Sequence, residues 1–170
     1  YHVVFTLPHQ INRLAKHQPR LIYELLFRAA SETLLCFAQD PKWLGAQPGL
    51  TAILHTWGQN LSLHIHLHCL ITAGGLASVG QRWIRSKGRF LFPVRALSRV
   101  FRAKYLELLQ RKLAAGHEAL LADLRRMEWV VYAKRPFAGP AAVLAYLSRY
   151  THRVAISNRR LIAMDERGVT

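Results

Sequence analysis

Acidic residues are scarce in this chain, and their scarcity excludes one class of enzyme and favours one class of partner. The 170 residues include nine Asp and Glu against 24 Lys and Arg, which gives a formal net charge of +15 at pH 7. An uncompensated positive field of this size is typical of a protein with a polyanionic partner, and nucleic acid is the polyanion that we expect. So few acids also leave no well-placed carboxylate pair in a strand to hold two metal ions, which argues against two-metal carboxylate chemistry.

Long apolar runs and cysteine motifs are missing as well. Because no long uncharged apolar stretch is present, a membrane surface is a weaker candidate partner than nucleic acid. The two cysteines, Cys36 and Cys69, lie in apolar surroundings and form no Cys-x-x-Cys pair. We interpret them as reduced thiols in the core of a cytoplasmic protein.

The length and the first residues of the chain suggest one domain of a longer protein. A hydrophobic content of 51% over 170 residues is enough for a substantial core, and no internal repeat or low-complexity linker divides the chain. The sequence lacks an initiator Met and begins in a strand-like run. We therefore interpret residues 1–170 as a single domain taken from a longer chain.

The order of the predicted elements favours an α+β fold with a largely antiparallel sheet. Apolar and β-branched runs predict strands at residues 2–7, 50–57, 61–72 and 129–134, and short strands around 83–84 and 89–92. The third strand is expected to end at Gly74-Gly75, and residues 154–164 resemble a hairpin. Apolar periodicity predicts helices at 10–16, 19–40, 93–113 and 118–126, and one that begins near 139–140. Hairpins without strand–helix–strand alternation indicate antiparallel pairing.

A run of alternating histidines is the first candidate site. His64, His66 and His68 share one face of the third predicted strand, because side chains alternate along a strand. Neighbours on one face are about 7 Å apart, so two of these imidazoles can hold one cation and a third ligand must come from elsewhere. A hairpin that turns near residue 60 brings His55 opposite the stretch from His64 to His66, in cross-strand reach of the site. The alternative is a set of ordinary histidines on a half-exposed strand, and imidazole ligands alone do not identify the metal.

A pair of tyrosines is the second candidate site. Tyr146 and Tyr150 are four residues apart and lie on one face of a predicted helix. Arg149, His152 and Arg153 can reach phosphate oxygens beside them. A tyrosine hydroxyl, with a pKa of about 10, is a poor nucleophile unless a metal ion and nearby cations stabilise the developing charge. The alternative role for this pair is aromatic packing.

A basic stretch is the third candidate site. Residues 82–112 contain ten Lys or Arg and a single acid, Glu107. A solvated helix face normally carries both signs of charge, so this bias favours binding to a phosphate backbone, with Trp83, Phe90 and Phe92 available for base stacking. The candidate DNA-binding residues are Arg82, Arg85, Lys87, Arg89, Arg95, Arg99 and Arg102.

These motifs together resemble a known family. His66-Leu67-His68 resembles the His-hydrophobic-His motif of the HUH single-strand endonucleases, and Tyr146-x-x-x-Tyr150 resembles the two-tyrosine motif of the same superfamily. The surrounding sequence at residues 2–8, 54–61, 134–137 and 146–158 is similar to the rolling-circle transposases of bacterial insertion sequences in the IS-ninety-one-like group.

The resemblance implies both a fold and a mechanism. The fold is a five-stranded antiparallel sheet flanked by helices, the HUH or Rep-like fold, with the histidine pair on a central strand. The mechanism uses Mg²⁺ or Mn²⁺ at the scissile phosphate of single-stranded DNA, at transposon ends and target. One tyrosine attacks to leave a 5′-phosphotyrosine and a free 3′-OH, and the other performs strand transfer.

The resemblance also sets expectations for the rest of the protein. Members generally carry an N-terminal cysteine-rich zinc-binding segment, which residues 1–170 do not contain. A bacterial, nucleoid-associated location is implied. The third metal ligand varies within the family, so His55 rests on the hairpin geometry alone.

Three other functions remain open from the sequence. A plasmid or phage replication initiator would use the same chemistry at a replication origin. A non-catalytic transposase remnant would keep the positive charge but form no covalent adduct with DNA. A His-x-His metallohydrolase or cupin would explain neither the tyrosine pair nor the net charge of +15.

Overall fold

The computed structural model describes residues 1–58, 62–77, 79, 82–87, 91–113, 115–134, 136–151, 164–165 and 168–169, and of residues 149–151, 164–165 and 168–169 the backbone alone. The strands are β1 (His2–Thr6), β2 (Gln47–Trp57), β3 (Leu63–Leu76), β4 (Trp83–Arg85), β5 (Val131–Lys134), β6 (Met164–Asp165) and β7 (Gly168–Val169). The α-helices are α1 (Asn12–His17), α2 (Pro19–Gln39), α3 (Val94–Gln110), α4 (Glu118–Arg126) and α5 (Pro140–Thr151), and a 3-10 turn (His9–Ile11) precedes α1. Within these ranges, no helix combines the length and the apolarity that crossing a bilayer requires.

The main sheet has five strands in the order β2-β3-β1-β5, with β4 also paired to β3. Every pairing is antiparallel, and β3 and β1 occupy the interior positions. The predicted α+β class with a five-stranded antiparallel sheet is confirmed, as is the placement of the histidine run on a central strand. β6 and β7 pair with each other as a separate two-stranded sheet.

Side-chain alternation along β3 gives the sheet two different faces. Ile65, Leu67 and Cys69 are fully buried in the hydrophobic core that includes the apolar sides of α2 and α3. Phe5 of β1 extends this core, and its ring centroid lies 4.7 Å from that of Phe101 on α3. We call this side of the sheet the core face. The opposite side carries His64, His66 and His68, and we call it the histidine face.

β3 runs through Gly74-Gly75 to Leu76, so the prediction that it ends at the glycines is wrong. Close backbone approach explains these residues, because a Cβ on Gly75 would lie 2.5 Å from the Gln47 carbonyl oxygen of β2. A Cβ on Gly74 would lie 2.5 Å from the Ile84 carbonyl oxygen of β4 and 2.7 Å from the Trp83 indole nitrogen. The glycines therefore allow β2 and β4 to pack tightly around the end of β3.

Several element boundaries also differ from the sequence prediction. α3 ends at Gln110 instead of continuing to residue 113, and β5 begins at Val131 instead of at residue 129. Leu91 and Phe92 lie in a buried bend and not in a strand. The predicted hairpin at residues 154–164 lies almost wholly outside the described residues. The predicted helices α2 and α4 have the expected bounds to within a residue.

Candidate metal and tyrosine site

Three histidines converge on the histidine face where β2 pairs with β3. His55 pairs with His66 in the strand register, which is the cross-strand position that the hairpin prediction assigned to it. The ring centroid of His55 lies 5.3 Å from that of His66 and 4.6 Å from that of His68. One ring nitrogen of each residue lies within 4.8 Å of the corresponding nitrogens of the other two. The fold thus brings together the three side chains that the sequence analysis selected as metal ligands.

These histidines fit a single divalent cation in both geometry and protonation. A metal–imidazole bond is about 2.0–2.1 Å long, so the nitrogens of two ligands on a tetrahedral ion are about 3.4 Å apart. From separations of up to 4.8 Å, the rings would close by up to about 1.4 Å to bind an ion. Burial, followed by the neighbouring His66, His55 and His2, lowers the pKa of His68 to about 3. Burial also lowers the pKa of His66, so both rings are neutral at pH 7 and can offer a lone pair.

A hydrogen bond to the backbone orients His66, and the side chain of His64 is not part of the cluster. His66 Nδ1 lies 2.9 Å from the His64 carbonyl oxygen. Because a carbonyl oxygen only accepts, Nδ1 carries the proton and donates it, which keeps the lone pair of His66 Nε2 available for a cation. His64 is exposed and does not belong to the group of three. The expectation that three histidines of one strand cannot share an ion agrees with this arrangement.

Helix α5 carries Tyr146 onto the histidine face. Gly139, at φ 124°, precedes Pro140 and provides the left-handed backbone from which the helix begins. Tyr146 is 5% exposed, and its hydroxyl oxygen lies 2.9 Å from His68 Nδ1. The phenol is therefore in direct contact with one of the three clustered histidines. Tyr150 follows one turn later on α5, but its side chain lies outside the described part of the structure.

His2 is a residue of this site that the sequence analysis missed. It is 2% exposed, and its Nε2 lies 2.6 Å from the Tyr146 hydroxyl oxygen and 2.9 Å from His68 Nδ1. The rings of His2 and His68 stack with centroids 5.1 Å apart. Burial, followed by the positive charge of Lys134, lowers the pKa of His2 to about 4, so its ring is neutral at pH 7. Alternation along β1 places His2 on the histidine face, but the pairing of His2 with Leu70 is what brings it to Tyr146.

The predicted DNA-binding residues do not form one surface. Arg95 and Arg99 are exposed on α3, which packs on the core face, so they lie across the sheet from the histidines. Arg102, on the same helix, donates from Nη1 to the Met127 carbonyl oxygen at 2.7 Å and links α3 to the end of α4.

Phe92, expected to stack on bases, is 3% exposed and packs against Phe37 with ring centroids 5.6 Å apart. That stacking prediction is wrong because the ring belongs to the core.

The other basic residues line a groove beside β4. Arg82, Arg85 and Lys87 are exposed there, facing the segment of residues 41–45 that follows α2. This segment adds Lys42 and Trp43 to the groove, with the Lys42 ammonium 5.1 Å from the centre of the Trp43 ring. Three other predicted binding residues lie outside the described residues: Arg89, His152 and Arg153. The side chain of Arg149 is also outside the described part of the structure.

Comparison with known proteins identifies the family. The model of a family described as "Putative transposase" (Y2_Tnp) matches residues 49–170. The chain is 49% identical over 185 aligned residues to "Putative transposase y4qJ" of Sinorhizobium fredii, covering 99% of this chain and 46% of that protein. It is 29% identical to the "Transposase for insertion sequence element IS801" of Pseudomonas savastanoi pv. phaseolicola, covering 94% of this chain and 40% of that protein. The chain thus spans less than half the length of these curated relatives.

Two solved structures have a similar backbone. One is the conjugative relaxase TrwC in complex with oriT DNA in a metal-free structure, with a TM-score of 0.48 and 18% identity over 69% of this chain and 47% of that one. The other is TrwC complexed with a 27-mer DNA that comprises the recognition hairpin and the cleavage site, with a TM-score of 0.49 and 14% identity over 87% of this chain and 54% of that one.

The resemblance noted in the sequence is confirmed by the family match, because that match covers the histidine strand and the tyrosine helix together. The relative from an insertion sequence agrees with it. The chain belongs to the Y2_Tnp family of transposases, the two-tyrosine HUH transposases of rolling-circle insertion sequences.

Proposed function

We propose that the protein cuts and rejoins single-stranded DNA through a covalent 5′-phosphotyrosine, with a divalent cation, during rolling-circle transposition. The observation that carries this proposal is the contact between the two candidate sites. The Tyr146 hydroxyl oxygen lies 2.9 Å from Nδ1 of His68, and His68 belongs to the group of three histidines. A nucleophile and a metal centre that share one side chain can act on the same phosphate.

His55, His66 and His68 are the residues that would hold the cation. When bound there, Mg²⁺ or Mn²⁺ supplies Lewis-acid stabilisation of charge on the phosphate oxygens. Imidazole ligands, unlike carboxylates, bring no negative charge to a bound cation, so the full positive charge of the ion remains to stabilise the phosphate. The same ligands suit several first-row metals, so the proposal of Mg²⁺ or Mn²⁺ rests on the family chemistry.

The reaction is a transesterification that needs no external energy. The Tyr146 oxygen forms a bond to phosphorus and loses its proton, while the bond between phosphorus and the 3′ oxygen breaks. The 3′ oxygen takes up a proton and leaves as a hydroxyl, and the 5′ end stays on the protein as a phosphotyrosine. One ester bond replaces another, so a 3′-OH can attack the phosphotyrosine to rejoin a strand. Tyr150, one turn along α5, would serve as the second nucleophile.

Cations of the chain would hold the DNA strand at this site. Lys134 pairs with His2 in the strand register and is close enough to lower the pKa of that residue. The exposed ammonium group of Lys134 is proposed to contact a phosphate beside Tyr146 as well. Arg149, His152 and Arg153 are proposed to act on the same strand from the end of α5. Arg82, Arg85 and Lys87 would hold the strand farther away, along β4.

The proposal is tested by trapping the covalent product. The protein is incubated with end-labelled single-stranded DNA and Mn²⁺, and an SDS-resistant adduct is expected. The double variant Tyr146→Phe, Tyr150→Phe should bind DNA and form no adduct, because phenylalanine keeps the ring but lacks the oxygen. Tyr132→Phe is a matched control, since Tyr132 is an exposed tyrosine of β5.

Two results would count against the proposal. An adduct from the double variant would identify another nucleophile. A wild-type protein that forms no adduct with any divalent metal, yet binds DNA, would be a non-catalytic DNA-binding remnant.

A further inference from the structure

His2 is a buried histidine that the proposed reaction does not use. It lies on β1, beside the strand that carries the three clustered histidines, and its side chain is almost fully enclosed. Its Nε2 is 2.6 Å from the Tyr146 hydroxyl oxygen, and its ring stacks on that of His68 at an interplanar angle of 5°. Phe137 completes the enclosure, with its ring centroid 5.0 Å from that of Tyr146. The phenol oxygen is therefore bounded by two imidazole nitrogens.

The possible positions of the protons in this group are few. Nε2 of His2, Nδ1 of His68 and the Tyr146 oxygen lie 2.6–2.9 Å from one another. If His68 offers Nε2 to a cation, its proton is on Nδ1, which must then donate. The Tyr146 oxygen can accept that bond, but it has only one proton of its own to give. If that proton forms the short contact to His2, the second lone pair of the oxygen stays free, whereas a proton donated by His2 would occupy it.

We propose that His2 fixes the direction of the Tyr146 hydroxyl by accepting its proton in a hydrogen bond at Nε2, so that a lone pair of the oxygen faces the phosphate. This inference rests on the proposed function, and it makes Tyr146 the tyrosine whose reaction depends on His2. His2 has its own proton on Nδ1. It touches the reacting oxygen and is therefore a catalytic residue of the Tyr146 reaction.

The consequence can be measured as coupling between His2 and Tyr146. In a Tyr150→Phe background, His2→Phe keeps the stacked ring but removes the acceptor, and we expect adduct formation to slow by about 10- to 100-fold. His2→Gln restores an acceptor and should recover most of that loss. In a Tyr146→Phe background any remaining adduct comes from Tyr150, and His2→Phe should slow it far less than it slows the adduct of Tyr146. His9→Phe, at an exposed histidine, is the matched control.

A second measurement does not need the reaction. Nitrogen-15 NMR of the protein with diamagnetic Mg²⁺ and without DNA, with histidine labelled, reports which ring nitrogen carries the proton. We expect an unprotonated, hydrogen-bonded Nε2 for His2 in the wild type, and a shift of that signal in Tyr146→Phe. This spectrum is informative even if His2→Phe does not fold.

The outcomes separate this inference from the proposed function. A proton on Nε2 of His2 in the wild type, or an equal loss of adduct in both tyrosine backgrounds, would overturn the role of His2 while leaving the nuclease intact. A wild type that forms no adduct overturns the proposed function and, with it, the catalytic role of His2.

Discussion

The two faces of β3 show how one strand supports both the stability and the chemistry of the protein. On the core face, Leu67 and Ile65 are fully buried among the apolar side chains of the core. On the histidine face, His66 and His68 pack against other imidazoles, and His68 also contacts the phenol of Tyr146. Adjacent residues along one backbone therefore experience a dry apolar environment and a polar, partly open one. Burial of polar groups is tolerated on the second face because the imidazoles contact one another and stay neutral.

The adjacent residues His68 and Cys69 make this difference explicit. Burial on the core face raises the pKa of the Cys69 thiol to about 12, so the thiol is protonated and unreactive at pH 7. Burial on the histidine face, followed by the neighbouring imidazoles, lowers the pKa of His68 to about 3. Both shifts favour the neutral form. A neutral thiol is inert, whereas a neutral imidazole is the form that binds metal.

The largest expected effect is a loss of activity with little loss of stability, in a variant of the histidine face. His66→Ala removes one of three clustered imidazoles, and we expect the metal-dependent adduct to disappear while salt-sensitive binding of DNA persists. The free energy of unfolding should change by less than about 1 kcal/mol, because the side chain is only partly buried and lies outside the core. Adduct yield with added Mn²⁺ and urea denaturation measure the two quantities. Adduct formation at the wild-type rate would show that His66 is not a ligand.

The opposite result, a loss of stability with retained activity, is expected for Leu67, the next residue along β3. Leu67→Ala leaves a cavity in the fully buried core face and should lower the free energy of unfolding by about 2–5 kcal/mol. The histidine register does not change, so the fraction of protein that remains folded should form adduct at close to the wild-type rate. Denaturation in parallel with adduct assays at low temperature tests this. A decrease of less than about 1 kcal/mol would contradict the assignment of Leu67 to the core.

A smaller effect is expected at the far end of β3. Gly75→Ala introduces a Cβ at 2.5 Å from the Gln47 carbonyl oxygen, so β2 must shift to accommodate it. We expect a decrease of about 1–3 kcal/mol in the free energy of unfolding, which is typical of overpacking. Gly116→Ala is a useful comparison, because its Cβ would meet no atom within 4 Å and only its φ of 100° opposes the change. Equal stability of Gly75→Ala and the wild type would show that the strands are packed more loosely here.

The smallest expected effect is on the affinity for single-stranded DNA and its salt dependence. It is measured by comparing two arginines on different surfaces. Arg85 lines the groove beside β4, whereas Arg99 lies on α3 behind the core face. Arg85→Ala should weaken binding of a single strand and reduce the slope of log K against log[salt] by about 0.7 for each phosphate that the variant no longer neutralises. Arg99→Ala should leave the slope unchanged. A larger reduction for Arg99→Ala would place the DNA on the helical side of the sheet.

Much of the site follows from local patterns in the sequence. Alternation in the run from His64 to His68 determined which side chains share a face, and a hairpin with a turn near residue 60 was enough to bring His55 opposite them. The i, i+4 spacing of the tyrosines fixed their common helix face. These predictions depend on backbone periods of two and 3.6 residues, which act over a few residues and can be read from the sequence.

The remaining features depend on contacts between residues that are far apart in the chain. His2 and Tyr146 are separated by 144 positions, and only the pairing of β1 with β3 and the placement of α5 bring them together. Gly74 and Gly75 suggested the end of a strand, but the strands on either side made them positions of close approach. Phe92 and Arg102 belong to a basic, aromatic stretch of the sequence. In the fold, however, Phe92 lies in the core, and Arg102 links α3 to the end of α4. Local sequence thus determined the faces of each element, while long-range packing decided which faces meet, because non-local contacts depend on the whole arrangement of the chain.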